Sequence, residues 1–417
     1  MLSAGEGPMF SVSVIVPTYN RAAYLQEALE SIFQQTLPPA EIIVVDDGST
    51  DDTEDTVQRT RKPIRFYRQE HEGVAAARNL GLQMATGDLI AWLDTDDLWE
   101  PEFLATLVSL LIDDPELDGV YCGLTHMDVT GKNLPTPELQ VIAPQRLYSA
   151  LIESDFIVTP AIVAHKRCYD QVGPFDLEFR ICEDYDMWLR LAKHFTIAGT
   201  SQALVRIRVH ESSTMMGDRL ALCKYRLALT QKHFGTREGD PGGWQEDKRR
   251  AYSFAFLTCA LRYIEDGESE EGWRYFQEAA SVWPALFNRL DVFYELACGA
   301  QARGYRGRVD LMDIGANGRE LLNRLDALFD TSSPTLRRAR GKAHGNAYLA
   351  LGMLSDQAGH WAEARSYLLR AITANPGLAT SPSVARRLVK LCSGRRLARF
   401  ARLVRDARAD SAYGNRT

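Results

Sequence analysis

From residue 11 to about residue 130, short apolar runs alternate with segments of helical period, and two of those runs end in clustered carboxylates. "SVSVIVPTYN" reads as a strand, "AAYLQEALESIFQQ" as a helix, and "AEIIVVDDGSTDDT" as a second strand ending in acids. "PIRFYRQ" is a third strand and "GVAAARNLGLQMAT" a helix; "GDLIAWLDTDD" and "GVYCGLTHMDV" are further strands. Alternation of this kind predicts an α/β fold, a largely parallel sheet covered by helices. Ligands collect beyond the carboxyl ends of such strands, which directs attention to Asp46 and Asp47 after one run and to Asp94, Asp96 and Asp97 after another.

Burying a carboxylate costs several kcal/mol unless it is paired or binds a cation, so three acids within four positions belong at a strand end facing a cleft. An alternative stays open: "DDLWEPEFL" also reads as a helix start with Asp97 as N-cap, although a cap accounts for one aspartate of the three. If the two strands are neighbours, their acids line one cleft. A carboxylate there can accept the imide N–H of a uracil or a ribose hydroxyl, and a pair can hold a divalent cation that bridges phosphates. The inferred substrate is a nucleoside diphosphate compound. Neither a P-loop nor a G-x-G-x-x-G lies between strand and helix.

The chain of 417 residues is long enough for two or three domains, and its net charge of −7 argues against nucleic acid as a partner. No run of eighteen apolar residues exists and "MLSAGEGPMF" lacks the pattern of a leader, so no transmembrane segment and a cytoplasmic location are expected. The seven cysteines form no C-x-x-C pair, which suggests neither a disulfide framework nor a zinc site.

Beyond residue 210 the strands stop, and residues 233–247, rich in Gly, Pro and charge, are the best boundary. The remainder of the chain is helical in pattern and carries a weak internal repeat. With Pro284 and Pro376 as equivalent ends, tetratricopeptide positions fall on Phe256, Cys259, Ala260, Tyr263, Gly272, Phe276 and Ala279 in one copy. They fall on Tyr348, Leu351, Gly352, Ser355, Ala364, Leu368 and Ala371 in the other. Each copy reads as an antiparallel helix pair, in a divergent array or in a plain helical bundle. The basic segment 386–408, with nine Lys or Arg, reads as a capping helix with a solvated face, or as one that lies on an anionic membrane or docks a partner.

"VSVIVPTYNRAAYLQEALESIFQQT", "IIVVDDGSTDDT", "GVAAARNLGLQMATGDLIAWLDTDD" and "CEDYDMWLRLA" together resemble the family 2 glycosyltransferases over about residues 11–215. The resemblance implies a GT-A type, mostly parallel sheet with covering helices, here over residues 1–235. An all-α, tetratricopeptide-like region of helical hairpins over 246–417 would succeed it. It also implies that Pro17, Tyr19 and Asp47 contact the base and ribose of a nucleotide and that Arg78 reaches it. Asp94-Thr95-Asp96 matches the D-x-D signature, in which Asp94 serves the nucleotide and Asp96 and Asp97 touch metal and ribose. Asp184, second of the Glu183-Asp184 pair, matches the general base, and His210 matches a histidine that closes over the diphosphate and ligates metal. Glu211 stands where relatives frequently have proline.

Each of these residues has a plainer reading. Tyr19 can simply pack, Arg78 can be a solvated arginine, Glu183 and Asp184 can cap a helix, and His210 can be a packing residue. Taken together the expectation is an inverting, Mn²⁺- or Mg²⁺-dependent transfer of a sugar from a nucleotide diphosphate donor, UDP being favoured, to a hydroxyl acceptor. The acceptor would be a glycan, a lipid-linked intermediate, which would make the protein peripheral to a membrane, or a protein. A catalytically silent scaffold that binds a protein partner through its helical part is the alternative.

Overall fold

The computed structural model describes residues 10–136, 139–210, 219–301, 308–384, 386 and 387. Glu211, the terminus before Phe10 and the basic segment from residue 388 onward lie outside the described residues. The chain divides into two compact units, residues 1–255 and 256–417.

In the first unit, β1 (Val12–Thr18), β2 (Glu41–Asp46), β3 (Arg65–Arg68) and β4 (Leu89–Trp92) form the parallel half of one eight-stranded sheet. They are linked by α1 (Ala22–Phe33), α2 (Thr53–Arg59) and α3 (Val74–Met84). The short β5 (Leu98–Trp99) and α4 (Phe103–Asp113) come next, then β6 (Gly119–Met127), α5 (Pro144–Glu153), β7 (Ile162–His165), α6 (Lys166–Val172), α7 (Glu183–His194) and β8 (Ile197–Arg208). The unit ends with α8 (Arg219–Phe234) and the beginning of α9 (Glu246–Glu265). The strand order is β3-β2-β1-β4-β7-β6-β8-β5. Four of its seven pairings are parallel; β7 runs antiparallel to both β4 and β6, and β5 to β8.

The β-branched run of β1 is buried along its whole length, as expected of a parallel strand covered on both faces. Alternation then sorts its residues. Ile15 joins Ile43, Val45, Ile90 and Trp92 in a core on one face, while Val14 and Val16 join Val44, Ala91 and the apolar stripe of α1 on the other. Helix α3 lies so close to β1 that a Cβ at Gly81 would collide with the Ile15 side chain. That close approach fixes Arg78, one turn earlier on α3, over the carboxyl end of the sheet.

The alternative reading of "DDLWEPEFL", a helix capped by Asp97, is not what forms: the helix starts only at the end of that stretch. Leu98 and Trp99 pair with Arg206 and Val205 of β8, α4 begins at Phe103 with no side-chain cap, and Asp97 accepts the Arg208 amide instead of capping a helix. A two-residue strand has no period of its own, so its pairing is decided by a partner more than a hundred residues away.

Among the described residues the second unit contains helices and no strand: the end of α9, α10 (Ser269–Val282), α11 (Leu290–Ala297), α12 (Ile314–Thr331), α13 (Pro334–Arg337), α14 (Arg340–Gln357) and α15 (Trp361–Ala374). The two sequence copies are two helix pairs, α9 with α10 and α14 with α15. Each pair turns at a glycine in the left-handed region, Gly267 at φ 83° and Gly359 at φ 77°, where any other residue would be strained. Small residues meet at equivalent places. A Cβ on Gly272 would sit 2.8 Å from the Ala260 carbonyl oxygen, and one on Gly352 would sit 3.3 Å from that of Ala364.

Candidate active site

The carboxyl ends of β1, β2 and β4 open onto one place, and the turns that leave them are tied together. Asn20, at φ 51°, donates its amide to the Ser49 hydroxyl oxygen at 2.8 Å and accepts the Thr50 amide at 2.7 Å, which binds the turn after β1 to the turn after β2. Asparagine tolerates that left-handed backbone better than most residues. Pro17, opposite Val45 in the sheet, accepts the Thr95 hydroxyl at 2.5 Å, which binds β1 to the D-x-D turn.

Asp47 is buried and its carboxylate is well supplied with donors. It accepts Gln69 Nε2 at 2.7 Å, the Glu72 amide at 2.9 Å and the Gly73 amide at 2.8 Å, while His71 Nδ1 lies 2.8 Å from Oδ2 and bonds the Asp47 carbonyl oxygen at 3.2 Å. The His71 ring in turn stacks on Tyr19, with centroids 4.0 Å apart.

The aspartates after β4 point in different directions. Asp94 pairs with Arg78 at 2.8 Å, Asp96 pairs with Arg21 and with His210 Nε2 at 2.8 Å, and Asp97 accepts the Arg208 amide at 2.9 Å. Arg208 also reaches the Asp96 carbonyl at 3.0 Å and Glu27 at 2.6 Å, and its guanidinium covers the Tyr24 ring, on which His210 stacks. Burial raises the Asp97 carboxyl well above the usual carboxylate range, and the neighbouring charges of Asp96 and Asp94 push it in the same direction. Burial likewise raises Asp94, with Asp96 and Asp184 adding to the effect and Arg78 opposing it.

Arg78 joins this turn to the start of α7. Buried against Phe175, it donates to Asp94 with one nitrogen and to Glu183 Oε1 with another at 2.7 Å. The Glu183 carboxyl is pushed up to about 7, by burial first and then by the Asp184 charge, against the pull of Arg78. Asp184 is only partly buried. Its Oδ2 accepts the Thr159 hydroxyl at 3.1 Å and its Oδ1 the Tyr185 amide at 2.8 Å. The remaining lone pairs on those oxygens are available to a further donor. Helix α7 holds this geometry through Trp188 and Leu191, both buried as its amphipathic pattern predicts.

The structure therefore brings Asp94, Asp96, Asp97 and Arg78 together with the Glu183-Asp184 pair, and sets Pro17, Tyr19 and Asp47 at neighbouring strand ends. Among the described residues no three His, Cys, Asp or Glu side chains converge as a formed metal cluster, because Asp97 turns to Arg208 while Asp96 turns to Arg21 and His210. The donor types nonetheless fit Mn²⁺ or Mg²⁺, being carboxylate oxygens with one imidazole. The burial and the mutual repulsion that raise Asp94 and Asp97 are what a cation beside them would relieve.

Sequence reasoning did not single out Arg21, His71, Thr159 or Arg208. Arg21 and His71 each lie within two or three residues of a site residue or glycine-marked turn, a faint signal. Thr159 and Arg208 carry none, since what they touch is set by folding.

The family model described as Glycosyl transferase family 2 matches residues 13–171, within the first unit. An uncharacterized glycosyltransferase of Haemophilus influenzae is 31% identical over 231 residues, covering 54% of this chain and 76% of that protein. An uncharacterized glycosyltransferase of Rickettsia typhi is 29% identical over 218 residues, covering 49% of this chain, so that the chain spans 65% of that relative's length. Among solved structures, the mannosyltransferase of Pyrobaculum calidifontis in complex with GDP-Man and Mn²⁺ aligns with a TM-score of 0.47 at 22% identity, over 66% of this chain and 77% of that one.

Proposed function

Because the chain belongs to glycosyl transferase family 2, we propose that it moves a sugar from a nucleotide diphosphate donor, UDP-linked, to a hydroxyl acceptor with inversion at the anomeric carbon. The observation that carries this reading is the Arg78 bridge, which ties the D-x-D turn to Glu183 beside Asp184.

Pro17, Tyr19 and Asp47 receive the base and ribose, and Asp94 and Arg78 serve the rest of the nucleotide. Asp96, Asp97 and His210 would hold Mn²⁺ or Mg²⁺, which when bound supplies positive charge to the diphosphate and so removes the need for a protein acid at the leaving group. Asp184 takes the proton from the acceptor hydroxyl as that oxygen attacks the face opposite the diphosphate. Its hydrogen bonds from Thr159 and the Tyr185 amide orient the carboxylate without neutralising it. In this reading residues 1–235 are the catalytic part, and 246–417 a tetratricopeptide-like part that engages a protein partner.

Incubating the full chain with UDP-sugars and Mn²⁺, and following UDP release with mass spectrometry of labelled products, tests the proposal. Release of UDP from at least one donor is expected, faster when the matching acceptor is supplied. Pyrophosphate chemistry instead would mark a nucleotidyltransferase.

A further inference from the structure

His71 is a residue that neither the sequence pattern nor the proposed reaction uses, yet it engages two of the residues assigned to the base, Tyr19 and Asp47. Its ring lies on Tyr19 at 4.0 Å with the planes inclined by 18°. Its Nδ1 is 2.8 Å from Asp47 Oδ2 and 3.2 Å from the Asp47 carbonyl oxygen. Both partners are acceptors, so Nδ1 carries the proton. A flat ring stacked on a tyrosine, with a ring N–H held against the buried Asp47, is also what a uracil with its N3–H or a guanine with its N1–H would present.

We propose that His71 occupies the nucleobase position of the ligand-free protein and must be displaced before a donor nucleotide binds. The proposal rests on the reading that Tyr19 and Asp47 receive the base. To bind, a nucleotide must displace the imidazole from Tyr19 and from Asp47, whose carboxylate keeps Gln69 Nε2 and the Glu72 and Gly73 amides as donors. A base-edge N–H, the N3–H of uracil or the N1–H of guanine, can then donate to that carboxylate. The His71 side chain is 56% exposed, so it can swing into solvent without opening the core.

The arithmetic is that of competition: an occupant that holds the site part of the time lowers apparent affinity by the fraction of protein that is free. One stacking contact and one hydrogen bond, partly offset by the ordering of the ring, correspond to a factor of about three to thirty. Calorimetric titration of the full chain with UDP, GDP and CDP in the presence of Mn²⁺ reads it directly, in wild type, His71→Ala and Tyr19→Ala. His71→Ala is expected to bind UDP and GDP about three- to thirtyfold more tightly than wild type, with the preference over CDP and the melting temperature unchanged. Tyr19→Ala is expected to bind more weakly. If Tyr19→Ala weakens binding while His71→Ala is unchanged or also weaker, the displacement proposal is wrong and the base subsite stands. If Tyr19→Ala binds as wild type does, the base subsite itself is misassigned and the proposal falls with it.

Discussion

In the first unit the carboxyl edge of the sheet buries Asp46, Asp47, Arg78, Asp97 and Glu183, whereas among the described residues of the second unit the buried polar side chains are Arg262, Asn346 and Ser355. Charges removed from water are expensive, and the first unit keeps several of them along one sheet edge, where Arg78 links Asp94 to Glu183. The second unit gains its cohesion from apolar surface and from glycine or alanine where helices must approach, as at Ala260 with Gly272 and Gly352 with Ala364. A concentration of buried charge with no gain in packing is the mark of a chemical site, and a repeated pattern of small residues is the mark of a scaffold. The two units should therefore respond to substitution in different observables.

The largest separation is expected at Asp184. Replacing it with Asn keeps its size and one of its two accepted hydrogen bonds, with the Thr159 hydroxyl free to turn and accept the other, but removes the base, so turnover should fall by about 10²- to 10⁴-fold while UDP affinity and melting temperature stay near wild type. Asn caps a helix about as well as Asp, so near-normal turnover would reduce Asp184 to a structural role.

Next comes the bridge itself. Arg78→Met leaves Asp94 and Glu183 without their cation, and a loss of about 3–5 kcal/mol in urea unfolding is expected. An unaltered unfolding midpoint would show that the acids are not held as a buried network.

Glu183 gives the comparison a pH dependence. Its carboxyl in the folded protein titrates near 7, above the ordinary value of 4.5, so the folded state binds a proton more tightly than the unfolded chain. Its contribution to stability is greatest below pH 4.5 and declines as pH rises through 7, by an amount on the order of 3 kcal/mol. Glu183→Gln should flatten that decline, and urea midpoints measured from pH 4.5 to 8 would reveal it. A wild-type midpoint that rises over this window would contradict the assignment.

In the second unit the smallest effect, and one of a different kind, is expected. Gly352→Leu forces a side chain against Ala364 and Leu368 and should cost about 1–3 kcal/mol of stability, with UDP affinity unchanged. Loss of nucleotide binding in the same variant would break the division of labour between the units.

Much of the first unit is legible in the sequence because its strands are covered on both faces. The runs that become β1, β2 and β4 are apolar for most of their length, and α1 and α3 come after them with helical spacing. Two strands escape such reading. Leu98–Trp99 is too short to have a period, and Ile162–His165 is placed between β4 and β6 by long-range antiparallel pairing that nothing local encodes. The site divides the same way. The acids at 47, 94, 96, 97 and 184 stand in recognisable blocks, whereas Arg21, His71, Thr159 and Arg208 are ordinary residues until folding brings each against one of those acids. Asp97 shows the limit from the other side. Its place in the motif says nothing of whether it turns towards Asp96 or, as observed, towards the Arg208 amide.

The claim on which the account depends is that the cleft between the D-x-D turn and α7 binds a nucleoside diphosphate with the help of a divalent cation, and titration calorimetry with UDP in the presence and absence of Mn²⁺ tests it most directly. Wild-type protein should bind UDP at least about tenfold more tightly with Mn²⁺ present, and Asp96→Ala should abolish that gain. Binding of UDP that is indifferent both to Mn²⁺ and to Asp96→Ala would contradict it.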